Sequence, residues 1–168
     1  MHLGSILALF LTFFGMHAAQ SSTITLQQVA SRSNAHDGSS VRAVDITSDG
    51  ALIVSGGEDG TVRSWPMQLA TEEHTAMLIH DIYDLETFPD DAGLMLVGQG
   101  GWSGGPGSDT FHVLNTADMT VLGSDTPGGY MYCVAVSKTD LNGNVYLAGS
   151  GFYGDIRIYK YDTNAKTM

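Results

Sequence analysis

The chain has 168 residues, 43% of them hydrophobic, which suffices for the buried core of one domain. Eighteen acidic against seven basic side chains give a formal charge of −11, so the surface repels nucleic-acid phosphates and anionic lipid headgroups. Twenty-one glycines beside four prolines point to an all-β chain with many tight turns, and a single cysteine, Cys133, excludes an internal disulfide.

Residues 1–20 read as a signal peptide. The apolar run from Leu3 to about Met16 is followed by small and polar residues. It is too short to cross a bilayer, which takes about 20 residues, and suits the apolar stretch of an export signal. Cleavage is expected between Ala18 and Ser22, leaving a secreted or extracytoplasmic protein with no stable membrane span. No Lys or Arg precedes Arg32, and an uncleaved leader that anchors the chain is the alternative. There is no Asn-x-Ser/Thr sequon, so export brings no predicted N-glycan.

Residues 21–168 divide into three units of short β-type runs closed by turn signals. The first, about 22–66, holds TITLQ at 23–27, VRAVDI at 41–46, LIVSGG at 52–57 and TVRSW at 61–65; a short helix over LQQVAS is the alternative to strand there. The second, about 75–115, holds TAMLI at 75–79, IYDLETF at 82–88, GLMLVG at 93–98 and TFHVL at 110–114. The third, about 119–160, holds MTVLG at 119–123, MYCVAVS at 131–137, NVYLAG at 144–149 and DIRIY at 155–159. The opening run of each unit is expected to be its outer strand. Val44, Leu85 and Val134 align, as do Gly56, Gly98 and Gly149, and Val62, Phe111 and Ile156. Spacings of 41 to 51 residues are close to the period of about 40–45 of a four-stranded propeller blade.

Between the second and third runs of unit two lies GQGGWSGGPGSD, residues 98–109. Gly101 to Gly105 match the G-x-S-x-G pattern of a nucleophilic serine, but that pattern needs a helix after it, and Gly105-Pro106-Gly107 does not start one readily. No phosphate-cradling glycine pattern is present. The segment lengthens a turn whose counterpart in unit three carries Phe152 and Tyr153. Trp102, Phe152 and Tyr153 either share one rim as a binding surface or each fold onto their own blade. The histidines at 2, 17, 36, 74, 80 and 112 lack zinc-like spacing. Asp140, Asn142 and Asn144 alternate like the start of a calcium loop but lack the remaining ligands, and read as a hairpin turn. No metal or cofactor is expected.

HDGSSVRAVDITSDGALIVSGGEDGTVRSW, residues 36–65, resembles the WD-repeat family of β-propellers. The resemblance implies a structural tetrad of His36, Ser55, Asp59 and Trp65, in which a hydroxyl and a carboxylate serve a buried imidazole and indole. Here Ala35-His36 and Trp65-Pro66 replace the usual Gly-His and Trp-Asp pairs, with one extra residue between His36 and Val41. Unit two has His80 and Asp109 with Leu114 in place of the tryptophan, and unit three has Asp155 and Tyr159 with no histidine. These two units would lack a full tetrad. Unit three, with Asp140-Leu-Asn-Gly143-Asn144-Val-Tyr146, also resembles a repeat of bacterial secreted propellers. The resemblance implies a β-propeller of about three four-stranded blades. Closed rings have about four to eight, so an incomplete ring, a fragment or a self-associating chain is expected. It also implies a non-enzymatic scaffold that binds a protein or peptide. The propeller portion of a larger exported enzyme and a glycan-binding propeller are the alternatives.

Overall fold

A computed structural model describes residues 27–101, 110–126, 131–151 and 154–163. The leader, most of TITLQ and the residues Trp102, Asp109, Phe152 and Tyr153 lie outside these. Eleven strands, and no helix among the described residues, form three antiparallel sheets. The first sheet contains β1 (Val41–Ile46), β2 (Leu52–Gly57), β3 (Thr61–Pro66) and β4 (His74–Met77) in sequential order. The second contains β5 (Ile82–Phe88), β6 (Asp91–Gln99), β7 (Thr110–Asn115) and β8 (Val121–Asp125). The third contains β9 (Met131–Val136), β10 (Asn144–Gly151) and β11 (Ile156–Asp162). Eleven of the twelve runs read from the sequence thus begin and end within about three residues of an observed strand.

The outer strands differ from expectation in one respect. β4 pairs with β3 and β8 pairs with β7, so TAMLI and MTVLG complete the sheet before them, not the one after. Units 75–115 and 119–160 therefore each straddle two sheets. The unpaired edge of β3 is the nearest ladder available to the returning chain, and residues 78–81 then make the crossing to the next sheet.

The sheets stack face to face. Each has a front, defined in the first sheet by Val44, Ser55 and Trp65, and a back, defined there by Ala43, Gly56 and Val62. The back of the first sheet and the front of the second share one core, with Val54, Val62 and Ala43 against Ile82, Leu85, Met95, Val97 and Leu114. The back of the second and the front of the third share another, with Leu96, Phe111 and Val113 against Val134, Val145, Leu147 and Tyr161. This stacking explains the burial along each strand. Leu94 to Val97 of β6 are all buried because both faces of the middle sheet are covered, whereas β11 is exposed at every second residue from Ile156 to Lys160.

Register corrects one alignment. Val44 stands opposite Ser55 and Leu85 opposite Val97, while Val134 stands opposite Gly149. The counterpart of Gly56 and Gly98 is therefore Ser150, and Gly149 lies on the front instead. Its own requirement for glycine has a different source, since a Cβ there would collide with the Phe111 ring of the second sheet. The turn glycine Gly60 sits at φ +71°, with the carbonyl of Leu78 2.9 Å from where a Cβ would be.

Candidate functional site

On the front of the first sheet the structure brings His36, Ser55, Asp59 and Trp65 together. Asp59 and Gly60 form the β2–β3 turn, Ser55 and Trp65 lie on neighbouring strands, and the segment before β1 lays His36 over them with no solvent exposure. His36 Nδ1 is 2.9 Å from Asp59 Oδ1, and Nε2 is 2.8 Å from Ser55 Oγ. Trp65 Nε1–H donates to the same Ser55 oxygen at 2.8 Å. A tautomer donating from Nδ1 to the carboxylate leaves Nε2 to accept the serine O–H, so every polar atom is used.

Two further residues join this network. Thr61 Oγ1 donates to Asp59 Oδ1 at 2.8 Å and lies 3.1 Å from His36 Nδ1. Arg63 donates from Nε to Thr61 Oγ1, and its terminal nitrogens bond Asp59, Asp37 and Glu72 at 2.7 to 3.0 Å. Burial alone would raise the Asp59 carboxyl, but hydrogen bonds from His36 and Thr61 hold it below the ordinary carboxylate value. The arrangement is closed and saturated, and holds the turn and the pre-β1 segment to the sheet.

The other two sheets fill the Trp65 position differently. Leu114, fully buried, packs with Met95 and Val97 against the first sheet. Tyr159 sets its ring edge-on to Phe111 at 5.3 Å, and burial and the Asp125 carboxylate push its phenol up to about 12. The Asp140 carboxylate accepts from the backbone N–H groups of Asn142 and Asn144, both at 2.8 Å, and from the Asn144 side chain, so the turn uses it internally. Among the described residues no three His, Cys, Asp or Glu side chains group as metal ligands, and no helix is long and apolar enough to cross a membrane.

A second constellation lies at the end where the inner strands begin. Arg42, Tyr83 and Tyr132 occupy one register, two residues before Val44, Leu85 and Val134. The Arg42 guanidinium lies over the Tyr83 ring, 4.9 Å from its centre, and Tyr83 meets Tyr132 edge-on at 5.0 Å and 89°. Arg42 also pairs with Glu58 and approaches Asp81 at 3.9 Å. The result is a ladder with one residue from each sheet, Tyr132 being 40% exposed. β6 and β10 end at this same side of their sheets, and Trp102, Phe152 and Tyr153, which follow them in sequence, lie outside the described residues. Sequence reading passed over the ladder; its signal is the shared offset from the aligned Val44, Leu85 and Val134.

Residues 27–66 match the family described as WD domain, G-beta repeat. The matched residues include the first three strands of the first sheet, β1 to β3. About three quarters of the chain is similar in fold to solved WD-repeat β-propellers. The structure titled "Structure of U3-55K" superposes with a TM-score of 0.62 at 12% identity, over 77% of this chain and 38% of that one. The crystal structure of RRP9 WD40 repeats gives 0.62 and 12%, over 77% and 37%. A chain of the mitotic checkpoint complex gives 0.61 and 18%, over 74% and 37%. The match thus spans less than two fifths of each of those chains. No curated protein matches the sequence.

Proposed function

We propose that this WD-repeat chain is a non-enzymatic scaffold that binds a protein or peptide at the end where Arg42, Tyr83 and Tyr132 converge. The ladder carries the reading. Arginine and tyrosine are, with tryptophan, the side chains enriched where recognition surfaces carry most of their binding energy: tyrosine buries a large rigid area at low entropic cost, and arginine presents a planar fork of donors. Here three sheets each contribute one of them to a continuous surface. The His36 network has no comparable use for a ligand, since its partners are all internal. The fold supports a scaffold only as an analogy, and the site is what makes the reading specific.

Selection from a displayed random peptide library tests it. Peptides retained by the protein are expected to lose about tenfold or more in affinity to Arg42→Ala and to Tyr132→Ala, and nothing to Tyr146→Ala on the back of the third sheet. Peptides insensitive to the first two changes would place binding elsewhere. Export belongs to the same reading, resting on the apolar leader. Mass spectrometry of chain secreted from a suitable host should find a new N-terminus between Ala18 and Ser22; soluble protein retaining Met1 would refute export.

A further inference from the structure

The sheets meet at two joints, first to second and second to third, and unpaired polar atoms are distributed unevenly between them. Among the described residues, four buried side-chain atoms have no hydrogen-bond partner within the protein: Ser64 Oγ, Gln99 Oε1, His112 Nε2 and Tyr161 Oη. The first three lie in the first joint. Ser64 is on the back of the first sheet with Val62, and Gln99 and His112 are on the front of the second with Val97 and Leu114. Of these, His112 alone can take up a proton in mild acid. Its Nδ1 is 2.8 Å from Ser124 Oγ on β8, and a protonated ring would carry both a buried charge and a buried N–H at Nε2 with no acceptor. The ladder spans the same joint, Arg42 of the first sheet lying over Tyr83 of the second.

We propose that the first joint is an acid-operated release for the ladder: a proton on His112 parts the first sheet from the second, which separates Arg42 from Tyr83 and frees the bound protein or peptide. The release rests on the scaffold reading given above, whereas the parting of the sheets stands without it. Each sheet keeps its own strand pairing, and only the contact between the two loosens.

Burial pushes the His112 ring down from 6.5 to about 4 while the joint is closed. Water reaches the ring once the sheets part, so the open form binds the proton more readily and acid favours opening. The effect is absent above about 6.5 and grows as pH falls toward 4. One such proton shifts the balance by at most about thirtyfold at pH 5, which is enough for a joint already weakened by the unpartnered Ser64 and Gln99. Other titratable groups face this joint. On β4, His74 stands opposite Ser64; Asp118, in the β7–β8 turn, is held low by hydrogen bonds from Thr120 and, to a lesser degree, by the charge of His74. That pair draws the sheets together and opposes opening. On β1, Asp45 reaches across the inner edge to Thr87, and Glu58 and Asp81 flank Arg42. Substitution at His112 separates its proton from theirs.

Nuclear Overhauser contacts and peptide affinity, measured on the full chain at pH 7.5 and pH 5, test the release. Gly56 lies so close to Ile82 that a Cβ would collide with it, and Gly149 is as close to the Phe111 ring, so each pair reports one joint. Expected in acid are loss of the Gly56–Ile82 contact, retention of the Gly149–Phe111 contact, and a fall of about threefold or more in affinity for a peptide that Arg42→Ala and Tyr132→Ala both weaken. His112→Gln and His112→Phe place no ionisable ring in the joint and keep both contact and affinity at the two pH values, while His74→Gln retains the acid response. A Gly56–Ile82 contact unchanged by acid overturns the proposal, as does an acid response that persists in both His112 variants. Loss of both contacts together means general unfolding and overturns it as well. Loss of the Gly56–Ile82 contact with unchanged affinity overturns the release. If no ladder-dependent peptide is found, the scaffold reading falls, and the Gly56–Ile82 contact alone then decides whether the sheets part.

Discussion

Ser55 Oγ is where two buried rings meet, accepting the indole N–H of Trp65 and bonding Nε2 of His36. Removing the indole leaves a large cavity and deprives the serine of a partner. Trp65→Ala is expected to lower stability by about 3–5 kcal/mol in urea titrations, and a loss under about 1 kcal/mol would show that the ring contributes little. The four members of this network were legible because their residue types and spacing follow the WD-repeat pattern. Thr61 and Arg63 were not, since a threonine or arginine early in a strand reads equally well as a solvated face. His112 is a different case: burial pushes its ring down from 6.5 to about 4. The unfolded chain binds this proton more readily, so the contribution of the neutral ring is complete above about 6.5 and lost as pH falls toward 4. Asp59, held low, acts only in more acid solution, below its ordinary value of 3.8. Stability measured against pH should therefore fall between 6.5 and 4 in the wild type, and fall less steeply in His112→Gln.

The inner strands β1, β5 and β9 are edges of their sheets, and edges leave N–H groups without ladder partners. Carboxylates from the preceding inner strand accept them: Asp45 from Thr87, and Asp84 and Glu86 from Val134 and Val136. Burial pushes the Glu86 carboxyl up, and the nearby Asp45 and Asp84 charges add to that effect. Asp84→Ala should cost about 1–2 kcal/mol and speed amide exchange at Val134, read by hydrogen exchange. Unchanged exchange would mean that the contact does not protect this edge. Acids on an inner strand read from sequence as a solvated face, which is why this role was hidden. The strands themselves were visible because short β-branched runs ended at Asp-Gly and Asn-Gly turns. Sheet membership of β4 and β8 was not, because an outer strand between two units is equally near both in sequence, and pairing alone decides. Gly149 was placed one residue out for a related reason: every sheet has glycines near the end of its second strand, and only register separates front from back.

At the scale of the whole molecule, the second sheet belongs to both hydrophobic cores, while the first and third are each tied in through it. Among the described residues, neither flanking sheet holds a core of its own. Leu96→Ala, at a fully buried position on the back of the second sheet, should therefore cost about 2–5 kcal/mol. It should lower amide protection at Val54 in the first sheet and Leu147 in the third together. Loss confined to the third sheet would show that the sheets unfold separately. The offset between sequence unit and sheet has a consequence for inheritance as well. A stretch such as 75–115 completes the sheet before it and starts the next with three strands, so duplicating or deleting such a stretch changes the sheet number by one while both junctions keep their outer strands. Recombination can then lengthen or shorten the array in whole steps, with no intermediate that exposes a new edge where the copies join.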